Sequence, residues 1–204
     1  MSVIALTFDD GPTKTTTVQT LDKLQKYGVV ATYFVLGRNI KPQTTAIMQR
    51  AIAMGCEIGN HTQSHPMLNL LSTQEIKNEA DAAAKKIFEA TGQEAKVFRA
   101  PYLAQNEDVY AAVPMVFVDG YHTLDYDSNN GVTFRADKAI SQAHDGAVII
   151  MHDFEDNHKT VEALDIIIPA LLGQGYRFVT VSELLRLKNP LSQKYIQNWC
   201  YYSE

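Results

Sequence analysis

Apolar residues along the chain fall into short runs bounded by turn residues. These runs alternate with stretches in which apolar positions recur at helical spacing. Val3-Ile4-Ala5-Leu6-Thr7-Phe8 is apolar and β-prone and stops at Asp9-Asp10-Gly11-Pro12, two carboxylates followed by a turn signal. This pattern predicts a buried strand that delivers acids to the C-terminal edge of a sheet. From Thr15 to Tyr27, Val18, Leu21 and Leu24 mark a helix that Gly28 closes. Val29 to Leu36 is a nearly continuous apolar, β-branched and aromatic run, as in a strand covered on both faces. Pro42 opens a second helix ending near Gly55, Glu57 to Asn60 is a short strand, and Ser72 with Glu75 forms a capping box for a long helix through Ala90.

The alternation continues. Val97-Phe98, Val113 to Val118, Ala147 to Met151 and Tyr176 to Val179 are predicted strands. Helices are predicted around Asn106 to Ala112, Phe134 to His144 and Thr160 to Leu172, with a last one capped by Thr180 and Glu183. Pro169 falls inside the penultimate helix, where an interior proline costs about 3 kcal/mol, so a kink or an early last turn is expected there. No repeat or low-complexity linker interrupts the pattern. The expectation is an α/β fold: a single domain over residues 1–204, an irregular (β/α) barrel of parallel strands with its active site at the C-terminal strand ends. An open parallel sheet is the alternative. The tail from Lys188 to Glu204 is aromatic and polar without a clear period, and is expected to pack on the surface or belong to a linker.

Composition narrows the partners more than the fold. The 204 residues, 46% of them hydrophobic, are enough for one sizeable core. Eighteen Lys and Arg against 23 Asp and Glu give a formal charge of -5 without a basic block, which speaks against nucleic-acid and anionic-membrane partners and suits a neutral, polar substrate. No apolar stretch is long enough to span a bilayer, and the chain opens without a signal-peptide pattern. An extracellular or cell-wall location is still expected if this is the catalytic part of a secreted multidomain protein, with a cytoplasmic one as the alternative; a monomer is expected. Cys56 and Cys200 have no metal-ligand spacing around them; they could pair in an oxidising compartment, but Cys56 is expected as a buried free thiol.

The candidate chemistry sits at predicted strand ends. Adjacent carboxylates repel and successive strand side chains point to opposite faces, so Asp9 and Asp10 cannot share one role unless the strand has turned. One of them is expected to meet a cation, the alternative being a turn that caps the next helix. His61-Thr62-Gln63-Ser64-His65-Pro66 also follows a strand end, and its two histidines share a face if the segment makes one helical turn. A capping or surface role is the alternative. With an upstream aspartate the pair makes an N,N,O set suited to zinc or a similar divalent ion, with positions left open for water and substrate. Arg99 and His152 follow apolar strands in the same way. Singly they read as an ion-pair partner and a core histidine, and only their shared strand-end position adds weight. Phosphoryl transfer from a strand-end aspartate fits poorly, because the acids are adjacent and no phosphate-cradling glycine loop follows.

Thr7 to Pro12 (TFDDGP), His61 to Pro66 (HTQSHP), Arg99 to Tyr102 (RAPY), Asp125-Tyr126 and Ile150 to Asp153 (IMHD) resemble, in order, the five motifs of the polysaccharide deacetylases, carbohydrate esterase family 4. The resemblance runs from about residue 3 to 187. It implies that Asp10, His61 and His65 hold one divalent ion, zinc or alternatively cobalt, and that Asp9 is the base taking a proton from the metal-bound water. It further implies that Arg99 orients Asp9, that the Tyr102 backbone N–H stabilises the oxyanion, and that His152, tuned by Asp125, protonates the leaving group. Tyr102, Tyr126 and Ile150 would contact the substrate, Ile150 at the acetyl methyl. The family usually has tryptophan where Tyr126 stands, an acid at His122, leucine at Ile150 and glycine at Leu103. The first two changes touch the substrate groove rather than the metal chemistry. Stretches 116–120 and 162–169 resemble most the members that de-esterify acetylated xylan, so O-deacetylation of xylan is expected. N-deacetylation of N-acetylglucosamine in peptidoglycan or chitin is the alternative, and a carbohydrate-binding protein on a decayed esterase fold the non-enzyme one.

Overall fold

The computed structural model describes residues 2–188 and the two residues 200–201. The strands are β1 (Val3–Asp9), β2 (Thr32–Val35), β3 (Glu57–Asn60), β4 (Val97–Phe98), β5 (Val116–Val118), β6 (Tyr121–His122), β7 (Val148–His152), β8 (Arg177–Phe178) and β9 (Cys200–Tyr201). They alternate with helices α1 (Thr16–Tyr27), α2 (Pro42–Ala53), α3 (Thr73–Thr91), α4 (Glu107–Ala112), α5 (Val132–Ser141), α6 (His158–Gly173) and α7 (Val181–Lys188). The strands join in the order β6-β7-β1-β2-β3-β4-β5-β9, with β8 beside β1, and every pairing is parallel. Among the described residues β6 and β9 do not pair, so the sheet is a curled half-barrel with helices packed around it. The expected (β/α) architecture of parallel strands in one domain is the one observed.

Period-two alternation sorts the side chains. On β1, Ile4, Leu6 and Phe8 join the helix-facing core with Tyr33, Ile58, Ile149, Met151 and the buried faces of α1 and α6. Val3 and Ala5 point the other way and pack inside the barrel with Phe34, Val97, Val116, Val118 and Val148. Climbing that inner face, β1 presents Val3, Ala5, Thr7 and Asp9, while β7 presents Val148, Ile150 and His152. Register pairs Thr7 with Ile150 and Asp9 with His152. The interior therefore changes from apolar at the floor to ionisable at the rim within the length of one strand.

Local signals account for most element ends. Gly28 closes α1 at φ 65, a left-handed conformation that costs glycine little. Ser72 and Glu75 form the capping box of α3, and Asn106 caps α4 by accepting from the Val109 N–H at 3.0 Å. Three predicted strands, those that become β2, β5 and β8, are shorter than expected. Val29 donates its N–H back to Leu24 at 3.0 Å and so belongs to the end of α1, and the Val113 N–H returns to Val109 at 3.2 Å, ending α4 ahead of Pro114. β6 is two residues long, too short to show a period, and was not expected. Pro169 brings no early stop, since α6 runs on to Gly173. The proline lies on the exposed face, where the carbonyl it leaves unpaired can meet water. Cys56 is a buried free thiol, its pKa pushed up to about 11 by burial. Apart from the two residues of β9, the expected behaviour of the tail concerns residues outside those described.

Candidate active site

Asp9 ends β1 on the inner face, 3% exposed, and its neighbour Asp10 has φ 78. The chain has turned between them, so the two carboxylates diverge. Asn39 donates its side-chain amide to the Asp10 carbonyl at 2.7 Å and holds the turn. Asp9 Oδ1 accepts from Arg99 Nη1 at 2.7 Å. The same nitrogen donates to Thr7 Oγ1 at 2.7 Å, and Arg99 Nε donates to the Val118 carbonyl at 2.9 Å. Arg99 is 1% exposed and spans the barrel interior from β4 to β1. Burial by itself would raise the Asp9 pKa, but the Arg99 guanidinium, with His61 and His152 adding to it, holds the carboxyl below its ordinary value.

The histidine pair is not arranged as its spacing suggested. Residues 61–66 contain no helical turn, and Thr62 and His65 lie in the left-handed region at φ 74 and φ 68. The loop is held instead by Asn60 Oδ1, which accepts the Thr62 N–H at 2.8 Å, and by Thr62 Oγ1, which accepts the His65 N–H at 3.0 Å. Backbone N–H groups of Gly37 and Arg38 donate to the Thr62 and Gln63 carbonyls at 2.9 and 2.8 Å. This looped backbone still brings both rings together, with centroids 5.0 Å apart.

His61 Nε2 and His65 Nε2 lie 3.6 and 3.3 Å from Asp10 Oδ1. That oxygen is buried and has no hydrogen-bond partner. Ligand atoms of the three residues all lie within 4.8 Å of one another. His61 Nδ1 contacts the Arg99 carbonyl at 2.7 Å, and donation there makes Nε2 the lone-pair nitrogen. Burial and the neighbouring His61 push His65 below the usual histidine value, which favours the neutral, ligating form. Two imidazole lone pairs beside an otherwise unpaired carboxylate oxygen, three ligand atoms in all, fit a divalent cation.

Across the rim, His152 Nδ1 sits 2.7 Å from Asp125 Oδ1, and the His152 backbone N–H donates to Asp125 Oδ2 at 2.8 Å. Asp125 also accepts from Thr160 Oγ1 at 2.7 Å and Asn157 Nδ2 at 3.3 Å. Arg135, buried on α5, reaches those same two residues, Asn157 Oδ1 at 2.6 Å and Thr160 Oγ1 at 2.8 Å. Burial would lower the His152 pKa, but Asp125 overrides it and raises it to about 9. Thr7, Asn157, Thr160 and Arg135 were not singled out in the sequence. Thr7 lies within the first motif, whereas the other three carry no local signal, being strand-remote polar residues on or before helices.

A cleft of about 450 Å³ gathers Asp9, Asp10, His61, His65, Tyr102, His122, Tyr126 and His152 on its walls. Tyr102 and Tyr126 are 66% and 54% exposed. Tyr102 packs edge-on against His65 and takes φ 59, and its N–H makes no hydrogen bond among the described residues. His122 is level with Ile150 on the inner face and packs edge-on against Tyr126. Burial and the nearby His152 keep its pKa down, so the ring that stands in place of the family's usual acid is neutral. Ile150 is not on the cleft wall; it is 1% exposed in the layer beneath Asp9 and His152.

A buried carboxylate, a carboxylate-paired histidine and a candidate cation-binding set gathered at one cleft are the residue types that a water-activating hydrolase uses. The chain belongs to the polysaccharide deacetylase family, whose model matches residues 1–115. It is 42% identical over 190 residues to a bifunctional xylanase/deacetylase of Pseudobutyrivibrio xylanivorans, covering 92% of this chain and 31% of that one. It is 37% identical over 195 residues to the peptidoglycan-N-acetylglucosamine deacetylase PgdA of Listeria monocytogenes, covering 94% and 41%. The chain thus spans well under half the length of either. Among solved structures it matches the Xyl-CE4 domain of a multidomain xylanase from the hindgut metagenome of Trinervitermes trinervoides, with TM-score 0.92, 39% identity and coverage of 99% and 97%. It also matches a family 4 acetyl xylan esterase of Clostridium thermocellum in complex with a cobalt ion, with TM-score 0.89, 40% identity and 91% of each chain covered.

Proposed function

We propose that this chain hydrolyses acetyl esters on an acetylated polysaccharide, with acetylated xylan as its first substrate. The carrying observation is the rim itself: Asp9, held by Arg99, and His152, held by Asp125, flank the Asp10, His61 and His65 cluster in one cleft. The likeness to a xylanase/deacetylase and to an acetyl xylan esterase favours the ester of xylan. The likeness to PgdA supports a second reading, amide cleavage at N-acetylglucosamine of peptidoglycan. A decayed, purely sugar-binding fold is disfavoured because Asp9, Asp10, His61, His65, Arg99 and His152 are all in place.

Asp10, His61 and His65 would hold one divalent cation, zinc first and cobalt as the alternative, which when bound polarises the acetyl carbonyl and acidifies water. Asp9 takes the proton of the attacking water on Oδ2, since Oδ1 is committed to Arg99. Arg99 keeps Asp9 ionised and fixes its direction. The unbonded N–H of Tyr102 donates to the oxyanion as the carbonyl becomes tetrahedral. His152, with Nδ1 fixed on Asp125, delivers a proton from Nε2 to the departing sugar oxygen or nitrogen. Ile150 supplies the apolar floor beneath, and Tyr102 and Tyr126 flank the sugar.

No described helix is long and apolar enough to cross a membrane. A wall polymer as substrate places the work of the chain outside the cytoplasm, as a monomer in this reading. Acetate release should be measured side by side on acetylated xylan, chitin oligomers and peptidoglycan, after chelation and after return of zinc or cobalt. Fastest release from xylan is expected, and chelation should abolish it. Faster release from either amide polymer replaces the ester reading, and release from none of the three defeats the function.

A further inference from the structure

The cleft does not end at the cation ligands. A second cavity of about 460 Å³, within the ordinary range of ligand sites, shares Asp10 and His65 with it and continues on the far side of them. The two lobes differ in chemistry. The lobe with His152 is walled by Tyr102, Tyr126 and His122 and has no lysine or arginine on its wall. The far lobe is lined by Lys14, Arg38 and Lys41. Asp10 is taken up by the cation cluster, which leaves Glu155 as the far lobe's one other acid, and that carboxylate accepts from Thr15 Oγ1 at 2.8 Å. None of the three cations makes an ion pair among the described residues. In a chain of formal charge -5, three unpaired cations in one lobe and none in the other are not a consequence of composition.

The cationic lobe is also firmly placed. Leu36 donates its N–H to the Gly11 carbonyl at 2.9 Å, and Gly37 and Arg38 donate to Thr62 and Gln63, so the loop after β2 is tied to both motif loops that carry the cation ligands. Arg38 Nη1 donates to the Ser64 carbonyl at 2.9 Å, which fixes the guanidinium while leaving its other donors free. A substrate whose acetyl group sits at the ligands would therefore run from tyrosines on one side to cations on the other.

We propose that the lobe lined by Lys14, Arg38 and Lys41 is a subsite for a carboxylate borne by the polysaccharide near the acetylated sugar. The substrate class is then an acidic, acetylated glycan. The inference rests on the deacetylase reading above and adds a charge requirement to it. The carboxylate can be a sugar-acid branch, as on a branched xylan, or one on a lactyl ether or peptide stem, as on peptidoglycan.

The test compares acidic and neutral ligands of the same backbone, in binding and in turnover. Titration calorimetry uses xylo-oligosaccharides with and without a glucuronic acid branch, and N-acetylglucosamine oligomers with and without muramyl carboxylates. Acetate release is followed on the acetylated forms and on a small neutral acetate ester. The wild type should bind the acidic member of one pair about fivefold to tenfold more tightly, and raising salt from about 0.05 M to about 0.5 M should erase most of that margin. Which pair shows it identifies the source. The triple variant Lys14→Gln, Arg38→Gln, Lys41→Gln should lose the margin in calorimetry, and Lys14→Gln with Lys41→Gln, which leaves the Arg38 hold on the Ser64 carbonyl in place, should lose most of it through KM while keeping kcat on the acidic substrate and full activity on the neutral ester. Lys14→Arg with Lys41→Arg should retain it. Equal affinity for acidic and neutral partners in both pairs, or a margin indifferent to salt and to the triple variant, overturns the subsite. Acetate release from no substrate overturns the deacetylase reading and leaves the calorimetric comparison to decide the subsite.

Discussion

Asp9 and Asp125 are both buried carboxylates beside the rim, yet the halves of the site they organise behave differently. Burial alone would raise both pKa values, and in both a cationic partner overcomes it, so both lie below the ordinary aspartate value. The partners differ. Arg99 is a guanidinium, whereas His152 is an imidazole that can gain or lose a proton. The Asp9 half is therefore held by a guanidinium fork, and the Asp125 half by an imidazole whose own charge follows pH. The contrast teaches that the chemistry of the neighbour, more than burial or the carboxylate itself, separates the two halves.

The largest expected effect sets Asp9 against its own neighbour. Asp9→Asn should lower kcat by about 10²–10⁴-fold while metal content measured by elemental analysis stays near wild type. Asp10→Asn should lower the bound metal itself. Equal metal loss in both variants would break the division of labour between them. Next comes His152→Ala, expected to cost about 10²-fold on a sugar acetate but distinctly less on a phenyl acetate, whose phenolate leaves without a proton. Equal slowing of the two esters would remove His152 as the acid.

Asp125→Asn sharpens the comparison through pH. Wild-type activity should fall as pH rises through about 9, where His152 loses its proton, and the variant's alkaline limb should move down towards 6.5 while the acid limb stays. An alkaline limb still near 9 in the variant would uncouple the pair. The smallest effect is on stability. The folded pKa of His152 lies above its unfolded value of 6.5, so the stability it adds is complete below 6.5 and is lost as pH rises through about 9. Asp125→Asn should therefore cost about 1–3 kcal/mol near neutrality, and less above that range. Thermal melts at about pH 7 and about pH 10 bracket the change. A deficit that does not change with pH would mean that the pair is not ionised as described.

Much of the fold was legible because its signals are local. The apolar run ending at Asp9, the glycine after α1, the capping box of α3 and the asparagine before α4 each act within a few residues. Ends set by distant partners were not legible. The strand β6 exists because β7 pairs with it, and β2 begins at Thr32 because the residues before it finish a helix. In the site, Asp10, His61 and His65 carried a spacing that suggested shared ligation, but the helical turn imagined for the histidines is a loop with two left-handed residues, held by Asn60 and by hydrogen bonds from the chain after β2.

By itself the sequence determined the alternation of elements apart from β6 and the strand ends that carry ionisable groups, because periodicity and turn chemistry are written residue by residue. Only the tertiary structure decided which of those groups meet. Asp9 reaches Arg99 across 90 residues, and His152 reaches Asp125 across 27. Such pairings, and with them the pKa values and the charge of each lobe, are set by strand register and curl, through distances that no local pattern encodes.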